Sequence, residues 1–209
     1  MTPQVKICGL TTAAGVAAAS GADYLGFIFF PASPRNLMPA QAAGLAKGVS
    51  QPTVAVMVDP DDTLLDTIFA EFKPHYIQLH GNESPARVAQ IKSAFKTPVI
   101  KAFKIRTGDD VAKAHAYEKA ADMLMFDAKA PEGLPGGNGL SFDWKLLAGR
   151  SFGRPWFLSG GLNADNVEEA LRISGAAMVD VSSSVESEPG VKDPALVRGF
   201  IEQVKRIRL

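Results

Sequence analysis

Eight short apolar segments alternate with stretches of helical composition along the whole of this 209-residue chain. The strands predicted from these segments are residues 5–10, 24–30, 53–59, 76–80, 99–104, 123–127, 156–159 and 178–182. Strands that are apolar on both faces, each followed by a helix, are typical of a parallel sheet covered by helices. Eight repeats in a chain of this length predict an α/β fold, a closed (β/α)8 barrel that forms a single domain over residues 1–209.

Several of the predicted helices begin with Ser, Asp or Asn, which suit a helix N-terminus. The helices are residues 61–72, 84–95, 109–119, 163–173 and 194–207. An open doubly wound sheet is the alternative architecture, but its first strand would lead into a glycine-rich dinucleotide-binding turn. The sequence after Leu10 carries no such turn, so the closed barrel is favoured.

Charge and composition argue against several classes of protein. The chain has 22 basic and 22 acidic side chains, which indicates neither a nucleic-acid partner nor a membrane-surface partner. It shows neither a secretory leader pattern nor an apolar run long enough to span a bilayer, so we expect a cytoplasmic protein. A single cysteine cannot form an internal disulfide, which agrees with a reducing compartment.

Two strand ends carry small residues that suit the binding of an anion. Gly160 and Gly161 follow the seventh predicted strand, just before Asn163 opens a helix, and Ser182 and Ser183 follow the eighth. Glycine lets an oxyanion approach the main chain, and a helix start adds unpaired N–H donors. A plain strand-to-helix turn capped by Asn163 is the alternative. Two such corners on neighbouring strands predict the binding of one phosphorylated ligand.

Two ionisable side chains stand at the ends of apolar strands. Strand alternation places Lys6 and Cys8 on one face, with Cys8 at the C-terminal edge. Asp127 ends the sixth strand, where a buried carboxylate is costly without a partner. Cys8 could instead be a buried hydrophobe, and Asp127 could form a salt bridge with Lys6 or Lys129. The chemical interpretation is a thiolate base and a carboxylic acid, its pKa raised by apolar surroundings, on either side of a small substrate.

The segment from residue 128 to residue 141 is the one long irregular stretch and contains Pro131, Pro135 and several glycines. Loops of this length in a compact domain are usually functional or disordered. Because the segment leaves the sixth strand, the barrel prediction places it over the mouth, where active sites form. A flexible surface connection is the alternative.

Six motifs follow one another along the chain in a fixed order. They are VKICGLT at residues 5–11, GAD at 21–23 with GF at 26–27, QLHG at 78–81, FDW at 142–144, SGGL at 159–162 and VDVSS at 179–183. Together with Cys8 and Asp127, this set resembles the phosphoribosylanthranilate isomerase family over the whole chain. The family is a single (β/α)8 barrel of tryptophan biosynthesis. The resemblance implies an Amadori rearrangement of N-(5-phosphoribosyl)anthranilate to 1-(2-carboxyphenylamino)-1-deoxyribulose 5-phosphate.

The resemblance also implies catalytic roles. Asp127 matches the general acid, which protonates the furanose ring oxygen and opens the ring to an iminium species. Cys8 matches the general base, which removes the C2′ proton to give an enolamine that tautomerises to the ketone. The substrate nitrogen is the electron sink, so neither a cofactor nor a metal is expected. A thiolate requires a Cys8 pKa below the free value of ~8.5, which the positive charge of Lys6 would favour.

Three further residues are candidates for binding the substrate. Arg35 matches a family arginine after the second strand and would bind the anthranilate carboxylate through paired hydrogen bonds. Asp180 matches a position on the eighth strand and would meet substrate hydroxyl or amine groups, or orient its neighbours. His80 ends the fourth strand and either lines the mouth or packs as an ordinary strand-end histidine. Ser184, where glycine is more usual, and Asn138, where Thr or Ser is, depart from the family pattern.

Two other functions stay open at this point. A ribulose-phosphate epimerase or an amino-sugar isomerase would share the phosphate corners, but would be expected to place paired carboxylates or metal ligands at the mouth. A non-catalytic phosphosugar-binding protein would be stabilised by the ligand without converting it. The oligomeric state, monomer or homodimer, is not determined by these features.

Overall fold

A closed barrel of eight parallel strands forms the centre of the protein, seen in a computed structural model that describes residues 1–128 and 141–209. The strands are β1 (Gln4–Cys8), β2 (Tyr24–Phe29), β3 (Thr53–Met57), β4 (Tyr76–Leu79), β5 (Val99–Ile105), β6 (Met123–Ala128), β7 (Trp156–Leu158) and β8 (Met178–Val181). Each strand pairs with the next, and β1 pairs with β8 to close the sheet. The predicted barrel is therefore confirmed, with strand ends that differ from the prediction by at most two residues.

Helices cover the outside of the barrel. They are α1 (Ala13–Ala18), α2 (Pro39–Leu45), α3 (Asp62–Glu71), α4 (Pro85–Phe95), α5 (Gly108–Ala112), α6 (Val167–Ser174) and α7 (Pro194–Arg206). The predicted N-caps of α3 and α4 are confirmed, because Asp61 and Ser84 accept hydrogen bonds from Leu64 N and Arg87 N. None of the helices in the described ranges has the length and apolar character needed to cross a bilayer.

Two predicted helices differ from the structure. The helix predicted over residues 109–119 is wrong in part, since α5 stops at Ala112 and the chain continues as a 3-10 turn, Lys113–Tyr117, whose last ring packs edge-on against Phe103. The helix predicted from Asn163 begins at Val167, because the Asn163 side chain accepts hydrogen bonds from Asp165 N and Asn166 N and folds this stretch into a turn.

The barrel has its own apolar interior, separate from the larger core between strands and helices. The interior side chains are Cys8, Tyr24, Val54, Val56, Ile100, Ala102, Met125, Phe157 and Met178. Because side chains alternate along a strand, the inward-facing residues after these positions come to the C-terminal mouth of the barrel. The mouth is therefore lined by side chains that the interior layers hold in place.

A short antiparallel hairpin lies between β8 and α7, made of β9 (Glu186–Glu188) and β10 (Val191–Lys192). The hairpin was not predicted, because its strands are only three and two residues long and are mostly polar. Thr11 Oγ1 donates to Gly190 O in the hairpin turn, which attaches the hairpin to the loop after β1.

Candidate active site

Cys8 lies at the C-terminal end of β1 and is 5% exposed. Below it, Lys6 is fully buried, and its Nζ donates to Asp180 Oδ1 over 2.7 Å. Ser159 Oγ donates to the other carboxylate oxygen of Asp180 over 3.0 Å. Burial lowers the pKa of Lys6, but the charges of Asp180 and Cys8 raise it more, so the net direction is upward. Lys6 is therefore a charged ammonium group beneath the Cys8 thiol.

The pKa of Cys8 was expected to fall below its ordinary value, and this expectation is wrong. Burial raises the pKa of the Cys8 thiol, and Asp180 raises it further, whereas Lys6 and Lys192 lower it. The loss of hydration outweighs the attraction of the two ammonium groups, so the net direction is upward. Formation of the thiolate therefore depends on these buried cations.

Asp127 stands near the end of β6, with its carboxylate beside the His80 ring. Asp127 Oδ2 lies 3.2 Å from His80 Nε2, and both side chains are 20% exposed. The apolar surroundings predicted for Asp127 are therefore only partly present. The salt bridge considered with Lys6 is not formed, because Lys6 pairs with Asp180; the other candidate, Lys129, lies outside the described residues.

Gln78, the first residue of the QLHG motif, approaches the other ring nitrogen of His80. Gln78 Nε2 lies 3.2 Å from His80 Nδ1 and 3.3 Å from Met125 Sδ. Nε2, on the opposite edge of the ring, faces Asp127. The His80 ring therefore lies between Gln78 and one carboxylate oxygen of Asp127.

The first predicted phosphate corner contains Gly160 and Gly161, and the structure gives Gly160 a packing role. Gly160 and Gly161 both have left-handed backbones, with φ of +89° and +65°. A Cβ on Gly160 would lie 2.4 Å from Ala128 N. Gly160 was predicted to leave space for an anion, but the structure gives it another reason to be glycine, namely its packing against the end of β6.

The second corner begins at Ser182, whose Oγ donates to Cys8 O over 3.1 Å. Ser183 starts the 3-10 turn Ser183–Val185. The Ser184 hydroxyl donates to Leu162 O and so joins this corner to the first one. The described residues with positive φ do not include Ser184, so glycine is not required there. Asn138, the other departure from the family pattern, lies outside the described residues, as does most of the predicted loop over the mouth.

Arg35 is 6% exposed and already holds a carboxylate, that of Glu186 in β9. Lys192 Nζ in turn lies 2.5 Å from Glu186 Oε1 and 3.0 Å from Ser182 O. Glu186 and Lys192 are functional candidates that sequence reasoning missed. The only signal for them was their charge in a segment between β8 and α7, which is also what an exposed loop would show.

The chain is similar in sequence and in fold to one family of proteins. The model of the family described as N-(5'phosphoribosyl)anthranilate (PRA) isomerase matches residues 5–203. The N-(5'-phosphoribosyl)anthranilate isomerase of Caulobacter sp. is 53% identical over 211 aligned residues, which cover 98% of this chain and 99% of that protein. The isomerase of Rhodospirillum centenum is also 53% identical, over 96% of this chain and 97% of that protein.

Solved structures agree with the sequence comparison. The phosphoribosyl anthranilate isomerase of Thermotoga maritima has a TM-score of 0.87 and 34% identity, over 98% of this chain and 100% of that one. A phosphoribosyl anthranilate isomerase in complex with reduced 1-(o-carboxyphenylamino)-1-deoxyribulose 5-phosphate has a TM-score of 0.84 and 31% identity, over the same shares of the two chains. Since the family model and these relatives extend over nearly the whole chain, the protein belongs to the N-(5'-phosphoribosyl)anthranilate isomerase family.

Proposed function

We propose that the protein converts N-(5-phosphoribosyl)anthranilate to 1-(2-carboxyphenylamino)-1-deoxyribulose 5-phosphate, with Asp127 as general acid and Cys8 as general base. The observation that carries the proposal is the placement of a thiol above a buried ammonium at the end of β1, and of a histidine-bound carboxyl at the end of β6. Both groups belong to one barrel mouth, where (β/α)8 enzymes carry their active sites. A solved member of the family holds a reduced form of the same product.

The first step requires a proton on the furanose ring oxygen. His80 Nε2 lies beside Oδ2 of Asp127, and Oδ1 has no hydrogen-bond partner among the described residues, so we assign the transferable proton to Oδ1. Protonation breaks the bond between the ring oxygen and C1′, and the nitrogen lone pair forms the iminium. Asp127 is left as a carboxylate beside the His80 ring, whose Nε2 lies 3.2 Å from Oδ2.

The second step removes the C2′ proton, which the electron-withdrawing iminium acidifies. Lys6 and Lys192 lower the pKa of Cys8 and so favour a thiolate for this step, against the burial and the Asp180 charge that raise it. Within residues 1–128 and 141–209, the buried network beside Cys8 contains three cations and two carboxylates: Lys6, Arg35, Lys192, Asp180 and Glu186. With all of these groups ionised, a Cys8 thiolate brings the charges to balance, and this attraction opposes the burial that lowers the pKa of Lys192 and raises the pKa of Cys8. The enolamine formed by proton removal then tautomerises to the ketone.

The substrate's two anionic groups have candidate partners on the same mouth. The main chain at Gly161 and Ser183 is the proposed phosphate site, since the two corners are joined by the Ser184 hydroxyl and offer backbone N–H donors. Gly160 and Ser182 shape these corners through their contacts with Ala128 and Cys8. Arg35 is the proposed partner of the anthranilate carboxylate, and Asp180 positions Lys6.

The test is turnover by the purified protein. Phosphoribosylanthranilate is fluorescent and its product is not, so loss of fluorescence measures the reaction. We expect wild-type turnover, and near-complete loss in Cys8→Ser, because a hydroxyl is a far weaker base than a thiolate at neutral pH. Thermal stabilisation by the product without any turnover would instead favour a phosphosugar-binding protein, and full activity of Cys8→Ser would refute the base assignment. Rescue of a tryptophan auxotroph that lacks this isomerase tests the same activity in a cell.

A further inference from the structure

Glu186 holds Arg35 by one edge of its guanidinium. Arg35 Nε donates to Glu186 Oε1 over 2.7 Å, and Arg35 Nη2 donates to Glu186 Oε2 over 2.8 Å. A guanidinium has five N–H groups, so this contact leaves both hydrogens of Nη1 and one of Nη2. One hydrogen of Nη1 and the remaining hydrogen of Nη2 form a second edge that can bind another carboxylate in the same bidentate manner.

The stem of Arg35 crosses the chain next to Cys8. A Cβ on Gly9 would lie 2.5 Å from Arg35 Cδ and 3.3 Å from Ser182 Oγ. Gly9 has a φ of +76°, which also favours glycine. Because Gly9 has no Cβ, space is left directly after the candidate base Cys8, and the Arg35 side chain fills that space.

The β9–β10 hairpin packs closely against the loop that carries Arg35. Gly190 has a φ of +91°, and a Cβ there would lie 2.6 Å from Pro34 O. Gly190 N also donates to Glu186 Oε2 over 3.2 Å, so the turn of the hairpin supports the carboxylate that holds Arg35. The contact fixes both partners of the ion pair relative to one another.

Lys192 connects the ion pair to the wall of the site. Its Nζ contacts Glu186 Oε1 and the backbone oxygen of Ser182, whose hydroxyl donates to Cys8 O. Burial raises the pKa of Glu186, but Arg35 and Lys192 lower it more, so Glu186 is a carboxylate. Because a buried ion pair contributes little net stability compared with apolar packing, the geometry that it fixes is its main contribution.

From this geometry we infer that Glu186 is a positioning residue which, with Lys192, orients Arg35 so that its second edge receives the carboxylate of the substrate. The inference rests on the proposed function, in which that carboxylate belongs to the anthranilate ring. Glu186 does not touch the substrate in this arrangement. Because Glu186 restricts Arg35 to one orientation, it makes the enzyme selective for substrates with an ortho carboxylate.

The experiment compares two substrates in one set of variants. N-(5-phosphoribosyl)anthranilate is the first, and N-(5-phosphoribosyl)aniline, which lacks the carboxylate, is the second. Wild type should prefer the first by about 100-fold in kcat/KM, and Glu186→Gln should reduce that preference about 10-fold by losing activity on the first alone. The matched control is Glu188→Gln on the exposed face of the same hairpin, which should keep the wild-type preference.

Each other outcome has a defined meaning. Equal losses of Glu186→Gln on both substrates would show a merely structural role and overturn the inference. If Glu186→Gln does not fold, Glu186→Asp, which keeps the charge but withdraws it from Arg35, must show the same selective loss. Wild-type turnover of both substrates at equal kcat/KM would leave the reaction in place and overturn the carboxylate role of Arg35 and of Glu186. Failure of wild type on both substrates would refute the proposed function itself.

Discussion

Replacing Lys6 by Met tests whether the buried ion pair sustains the thiolate of Cys8. Methionine fills the volume of the lysine stem but leaves Asp180 buried without its cation, whose Nζ lies 2.7 Å away in wild type. Removing one partner of a buried pair costs about 3–5 kcal/mol. For a chain of this size the melting temperature should therefore fall by roughly 6–20 °C. Asp180 retains only the Ser159 hydroxyl as a described partner, which cannot replace a full charge.

The same change should raise the pKa of Cys8 still further, because Lys6 is the strongest influence that lowers it. Cys8 is the chain's single cysteine, so its alkylation by iodoacetamide reports one thiol. In wild type the alkylation rate should rise with pH to a midpoint above the ordinary thiol value of ~8.5. In Lys6→Met the midpoint, and with it the rising limb of kcat/KM against pH, should move to higher pH.

A second ion pair of the same chemistry serves as the control. Lys92 Nζ lies 2.6 Å from Asp122 Oδ1, but both side chains are about one-third exposed. Lys92→Met should cost at most about 1 kcal/mol and should not change the alkylation midpoint. Equal loss of stability in the two variants would refute the energetic argument. An unchanged midpoint in Lys6→Met would refute the electrostatic role of Lys6, whatever its effect on stability.

Three further results are expected. Asp127→Asn keeps the shape of the side chain but removes the transferable proton, so kcat should fall by at least ~100-fold with an unchanged circular dichroism spectrum; near-normal turnover would refute the acid role. Gly160→Ala forces a left-handed alanine against Ala128 and should lower the melting temperature by at least ~2–8 °C, whereas an unchanged melting temperature would contradict the packing argument. Burial raises the pKa of Tyr24 to about 12, so the free energy of unfolding should decrease as the pH rises from ~10 toward 12, and Tyr24→Phe should remove part of that decrease.

The barrel could be predicted because its signal is local and repeated. In the run Thr53–Met57, the four residues after Thr53 are apolar, and all five residues are buried, as in a strand covered on both faces of the sheet. The prediction of a helix over residues 109–119 is wrong in part because local composition does not show where an α-helix passes into a 3-10 turn. Its last turn depends on a contact between Tyr117 and Phe103, which are separated in sequence by the loop after β5.

The candidate site could be predicted only in part. The sequence shows which residue types stand at a strand end, but it does not show which distant residues they contact. Cys8 and Asp127 stand out as ionisable groups at the ends of apolar strands. Lys6 and Asp180 meet across 174 positions of sequence, a contact that exists only once β1 pairs with β8. Among 22 acidic side chains, nothing local marks the one that neutralises a given lysine.

Closure of the barrel therefore decides the chemistry of Cys8 as well as its position. The same burial that removes water from the thiol, and so raises its pKa, also removes water from Lys6 and Lys192. Cations that have lost their hydration attract a neighbouring anion more strongly than exposed ones do. In the proposed mechanism, a Cys8 thiolate is therefore paired with charges that stand in place before the substrate arrives, and little solvent has to reorganise around it. An exposed cysteine beside an exposed lysine would have a lower pKa but would lack this arrangement.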